Sequence, residues 1–79
     1  MYKAEMTDTF GGEANYCWVR RAEMPEAKTM LAAVRQAKKA FDIVGARCRR
    51  SDYGDEVRLD IIGACIVVFV RWEDTPEDE

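Results

Sequence analysis

A chain of 79 residues, 48% hydrophobic and 34% charged, makes one domain and buries only about 60% of the surface its unfolded form exposes. The composition is globular rather than disordered, and no stretch reaches the ~18 apolar residues that a membrane-spanning helix needs. The absence of histidine removes the commonest general base, the commonest transition-metal ligand and every Ser-His or Cys-His nucleophile pair, so no catalytic set, metal site or cofactor is expected.

Tyr2, Ala4 and Met6 alternate with Lys3, Glu5 and Thr7, which predicts a strand with one buried face. The charged opening Met1–Glu5 has no apolar leader, so a cytoplasmic location is expected. Gly11 and Gly12 supply the freedom for a reversal, and the economical reading is a hairpin with a loop over 11–15 and a second strand over 16–22. Pro25, flanked by Glu23 and Glu26, predicts a helix start. Ala27, Met30, Leu31, Val34, Ala37 and Phe41 then recur at helical spacing, with Gly45 as the stop. Three further strands are read over 46–50, 56–61 and 65–72, separated by turns at 51–55 and near Gly63.

The fold expected from this order, ββαβββ, is α+β: one antiparallel sheet of four or five strands with a single amphipathic helix on one face. Residues 1–72 form the single domain. Residues 73–79 carry five acids and no base and are read as an acidic C-terminal tail, leaving ten acids against twelve bases in the body. Cys17, Cys48 and Cys65 are an odd set with no CxxC pair, so a disulfide framework is not expected and each reads as a small buried hydrophobe.

Two strands break the clean alternation that a half-solvated sheet should show. If Cys17 and Val19 face the helix, Tyr16, Trp18 and Arg20 lie on the open face, and one apolar set of 65–70 must join them. An exposed aromatic strip on a small protein points to a partner interface, and Tyr16, Trp18, Arg20 and Arg21 supply the residue types enriched in interface hot spots. The alternative is that long basic stems cover that face.

Other motifs carry less. DTFGG at 8–12 is interrupted by Phe10 and does not make the Asp-Thr-Gly of a carboxylate dyad. Gly11-Gly12 lacks the GK[ST] ending of a phosphate loop, and DYGDE at 52–56 lacks the ligand spacing of a calcium loop. Arg47, Arg49 and Arg50 form an arginine cluster suited to nucleic acid, set against a pI near 5.0.

The block T-D-T-F-G-G-E-A-N-Y-C-W-V-R-R at 7–21, with G-A-R-C-R-R at 45–50 and Y-G-D at 53–55, resembles short reading frames of bacteriophages and other mobile elements. The resemblance implies a small non-enzymatic accessory protein, anti-CRISPR-like, that occupies a surface on a host protein complex. A homodimer and a nucleic-acid partner are the remaining expectations.

Overall fold

The period-two segments join edge to edge into one sheet of five strands in the computed structural model, which describes residues 1–73. These are β1 (Tyr2–Phe10), β2 (Glu13–Met24), β3 (Cys48–Asp52), β4 (Glu56–Ile61) and β5 (Ile66–Trp72), with one helix, α1 (Met30–Ala40), between β2 and β3. Across the sheet the order is β2-β1-β5-β4-β3, and every neighbouring pair is antiparallel. The expected α+β class is corrected by this balance: 53% strand against 15% helix among the described residues makes the fold a mostly-β sheet carrying one short helix. Among the described residues, no helix is long and apolar enough to cross a membrane.

The helix is short because the sheet takes its expected first turn. Met24, 2% exposed, extends β2 into the core, so Pro25 falls in the turn after the strand and not at the helix start. Thr29 is the N-cap instead: its backbone is extended and its side chain accepts a bond from the Ala32 amide at 3.1 Å. At the other end Asp42, at φ 60°, takes the left-handed position expected of Gly45. The Ile43 amide bonds the Lys38 carbonyl and the Asp42 amide the Lys39 carbonyl, which closes the helix with the crossed pair of bonds typical of a left-handed cap.

The core lies between the helix and one face of the sheet. Ala33, Val34 and Ala37 of α1, with Phe41 after it, pack against Ala4, Met6, Met24, Val57, Leu59, Val68 and Val70. This settles the two-sided strand: Val68 and Val70 face the helix, while Val67 and Phe69 face the other way. That opposite face is not an exposed apolar strip. Val67 and its cross-strand neighbour Thr7 are both fully buried, and Phe69 is half-buried with the Arg58 guanidinium 5.8 Å from its ring centre.

Charge covers most of the rest of this face. Lys3 pairs with Glu23 and Glu73, Arg21 with Glu5, Arg71 with Glu5, Glu56 and Glu73, and Arg58 with Asp60. Burial lowers the proton affinity of the Arg71 guanidinium, but the carboxylates of Glu5, Glu56 and Glu73 outweigh it and hold the pKa above its ordinary value. Glu73 belongs to this network rather than to a tail, since its main chain also exchanges bonds with Met1 at 2.9 and 3.0 Å. The remainder of the expected acidic tail, 74–79, lies outside the described residues.

Candidate partner-binding surface

The β1–β2 hairpin is tighter than its sequence implies. Gly11 and Gly12, at φ 64° and 86°, form a two-residue reversal, and Phe10 pairs directly with Glu13. The irregularity that a longer loop would have absorbed sits inside β2. Between the pairs Thr9–Ala14 and Thr7–Val19 one residue of β1, Asp8, faces four of β2, residues 15–18. Tyr16 stands at the turn of this bulge with φ 59°, a conformation that costs a bulky residue energy unless its surroundings hold it.

Asp8 and Thr7 hold it. The Asp8 carboxylate accepts from the Asn15 side-chain amide and from the Cys17 backbone amide, both at 2.9 Å. The Thr7 hydroxyl has one proton to give, and the Trp18 carbonyl at 2.7 Å takes it in preference to Asp8 at 3.3 Å. Thr7→Val keeps the shape and removes this donor at a fully buried position. The expected loss is about 1–3 kcal/mol of unfolding free energy, read by urea denaturation.

The same bonds set a pH response. The Asn15 side chain, with the Cys17 amide behind it, holds the Asp8 carboxyl below its ordinary pKa against the opposing effect of desolvation. A carboxyl depressed in the folded state adds stability that is present above its unfolded pKa and lost as pH falls through its folded pKa. The Cys17 amide resonance is therefore expected to titrate on the acid side of an ordinary aspartate, and Asp8→Asn to abolish that titration.

The bulge divides the residues that the sequence places together. Tyr16 donates its hydroxyl to Glu5 Oε1 at 3.3 Å, and Arg21 bonds Glu5 Oε2 at 3.2 Å, so both belong to the face away from the helix. Burial, with the Glu5 carboxylate second, raises the Tyr16 phenol above its ordinary pKa. Arg20 is on the other side: it pairs with the core residue Met6 and lies over the Phe41 ring, 5.7 Å from its centre. The expectation that Tyr16, Trp18 and Arg20 share the open face is thus corrected. The physical reason is that three extra residues in β2 break the simple alternation of its side chains.

The hairpin end also bends over the open face. Arg58 of β4 donates to the Gly12 carbonyl in the β1–β2 turn at 2.8 Å, although β5 lies between β4 and β1 in the sheet. Strands spaced about 4.8 Å apart put β4 and β1 roughly twice that apart in a flat sheet, so the turn must curl toward β4 to be reached. Here a basic stem reaches over the apolar face, and the aromatic side chains near the hairpin end stay exposed. Phe10 is 80% exposed, Tyr16 49% and Trp18 40%. Ile62, also exposed, lies at the same end of the sheet, in the β4–β5 turn whose Cys65 carbonyl accepts from the Thr9 amide. Sequence reasoning missed Phe10 and Ile62; the glycine pair directly after Phe10 was the available signal that it ends its strand at a tip.

Arg47, Arg49 and Arg50 do not form one patch. Arg49 stands opposite Asp60 on the open side and Arg50 opposite Leu59 on the helix side, where it also pairs with Asp52 at 3.1 Å. Arg47 precedes β3, and its carbonyl accepts from Ile62. A different basic group is contiguous: Arg35, Lys38 and Lys39 share the outer side of α1 and, with Val44, line an open groove of about 350 Å³.

The cysteines depart from expectation as well. Cys17 lies in the bulge and Cys65 in the turn before β5, and both are exposed; Cys48 is half-buried. Among the described residues no group of three or more His, Cys, Asp or Glu side chains is placed to hold a metal ion. Comparison with protein-family models, with curated proteins and with solved structures yields no match.

Proposed function

We propose that this chain is a non-enzymatic protein-binding module whose contact surface is the hairpin end of the sheet, with Phe10, Tyr16 and Trp18 as the anchors. The observation that carries the reading is the anchored bulge. Tyr16 and Trp18, exposed on a segment already fixed by the Asp8 and Thr7 bonds, lose little backbone freedom on binding, which is the condition under which a small patch gives useful affinity. Arg21, beside Tyr16 on Glu5, belongs to the rim of this surface, and Arg20 does not.

The resemblance of 7–21 to short phage reading frames supports one class of partner: a host protein complex in the cytoplasm of an infected cell, modulated or inhibited by occupation of one of its surfaces. The test is a pull-down from bacterial lysate with the tagged chain and its Trp18→Ala variant, each with and without nuclease. A complex retained at fixed stoichiometry by the wild type, resistant to nuclease and absent with the variant, supports the reading. Equal retention by both sinks the assigned surface.

A nucleic-acid reading is kept for one observation. Arg35, Lys38, Lys39, Arg47 and Arg49 have no ion-pair partner among the described residues, whereas Glu5, Glu23, Glu56, Asp60 and Glu73 of the open face are all paired. Binding of that kind falls steeply as salt rises, and a salt-independent complex excludes it.

A further inference from the structure

The outer edge of β2 has a pairing pattern of its own. Met1 and Glu73 exchange both main-chain bonds, so odd residues of β1 direct their amide and carbonyl groups toward β5. Even residues of β1 therefore bond β2, through the pairs Tyr2–Met24, Ala4–Ala22 and Met6–Arg20. That leaves the main-chain groups of Val19, Arg21 and Glu23 directed away from the sheet. The bulge at 15–18 closes this edge to regular pairing on one side and Pro25, with no amide hydrogen, on the other.

We propose that two copies of this chain associate through residues 20–24 of β2, antiparallel, with the two-fold axis at Ala22. Arg21 then faces Glu23 of the second copy, and Glu23 faces Arg21. The register follows from parity and charge together. Outward-directed groups must meet outward-directed groups, so odd residues pair with odd and the axis passes through a residue. An axis at Arg20, Arg21 or Glu23 sets a like-charged pair face to face, whereas an axis at Ala22 sets opposite charges together twice and an alanine against an alanine. The arrangement continues a row already present on the open face: Lys3 beside Glu23 at 4.0 Å and Glu5 beside Arg21 at 3.2 Å become Lys3, Glu23, Arg21, Glu5 across the junction. Arg21 and Glu23 have side chains 70% and 62% exposed, so each can turn to the second copy. The opposite edge, β3, has only five residues, and its Arg50 and Asp52 already neutralise each other along the strand.

Sedimentation equilibrium of the wild type over a range of concentrations is expected to show a mass rising from 9.1 kDa toward twice that value. Arg21→Glu opposes glutamate to glutamate and Glu23→Arg opposes arginine to arginine, so each alone should weaken self-association about tenfold or more. An equimolar mixture of the two variants restores both opposite-charge contacts and should recover the dimer. A second measurement needs no variant: hydrogen exchange at the Arg21 and Glu23 amides should slow as the wild-type concentration rises, with the Arg20 and Ala22 amides unchanged. A wild type that stays at 9.1 kDa overturns the proposal, as does a mixture that fails to reassociate while the wild type is dimeric. Concentration-dependent protection at residues other than 21 and 23, or protection only when a foreign strand-forming peptide is added, overturns it too.

Discussion

Alanine in place of Leu59 is expected to lower the unfolding free energy by about 2–5 kcal/mol, the cost of a buried leucine truncated where neighbours cannot collapse. Leu59 is 1% exposed at the middle of β4, opposite Val68 on one side and Arg50 on the other, in the cluster that the helix closes. For a domain of this length, at roughly 0.05–0.15 kcal/mol per residue, such a loss is a large part of the whole. Urea denaturation should show a lower midpoint with an unchanged slope. Leu31→Ala supplies the control: the same residue type, 53% exposed on α1, should change stability by no more than about 0.5 kcal/mol. Equal losses at the two positions would mean that the helix packs by a different face.

The second large effect is on binding. Trp18→Ala should weaken the partner complex about thirtyfold, the factor that ~2 kcal/mol gives for a truncated aromatic hot spot. Its circular dichroism should remain that of the wild type, because what the bulge needs from residue 18 is a carbonyl, which alanine also has. Arg20→Ala is the informative comparison. Arg20 stands over Phe41 on the helix side, so its loss should leave the affinity unchanged even though it is two residues away in the chain. A partner that loses affinity at Arg20 and not at Trp18 would move the contact surface from the hairpin end of β2 toward Phe41. The two proposed surfaces meet at Arg21, a rim residue of the first and a pairing residue of the second, so Glu23→Arg, which leaves the hairpin aromatics and Arg21 in place, is the variant that separates them.

Much of the local structure was legible in the residues. Alternation marked β1, and β4 falls on the six residues read for it, because Val57, Leu59 and Ile61 face inward with charged neighbours between them. Gly11-Gly12 marked the reversal, since two successive left-handed positions suit few other residues. Helical spacing marked the apolar face of α1 but not its first turn. A proline followed by an acid satisfies the rules for a helix start, yet burial of Met24 in the sheet together with the Thr29 cap outweighs them.

The sequence alone determined the order of strands and helix along the chain, the bounds of β4 and the absence of histidine, because composition, spacing and turn preference act locally; it misplaced the ends of β2 and β3 and the length of the first turn. Tertiary structure decided the rest: that the fold is mostly sheet, which face of β5 is core, that Arg58 reaches the Gly12 carbonyl, and that Tyr16 and Arg20 lie on opposite sides. Those outcomes depend on the register between strands far apart in the chain. A bulge held by Asp8 and Thr7 changes that register for every residue on one side of it, and no pattern within β2 itself records where its partner's carboxylate and hydroxyl will stand.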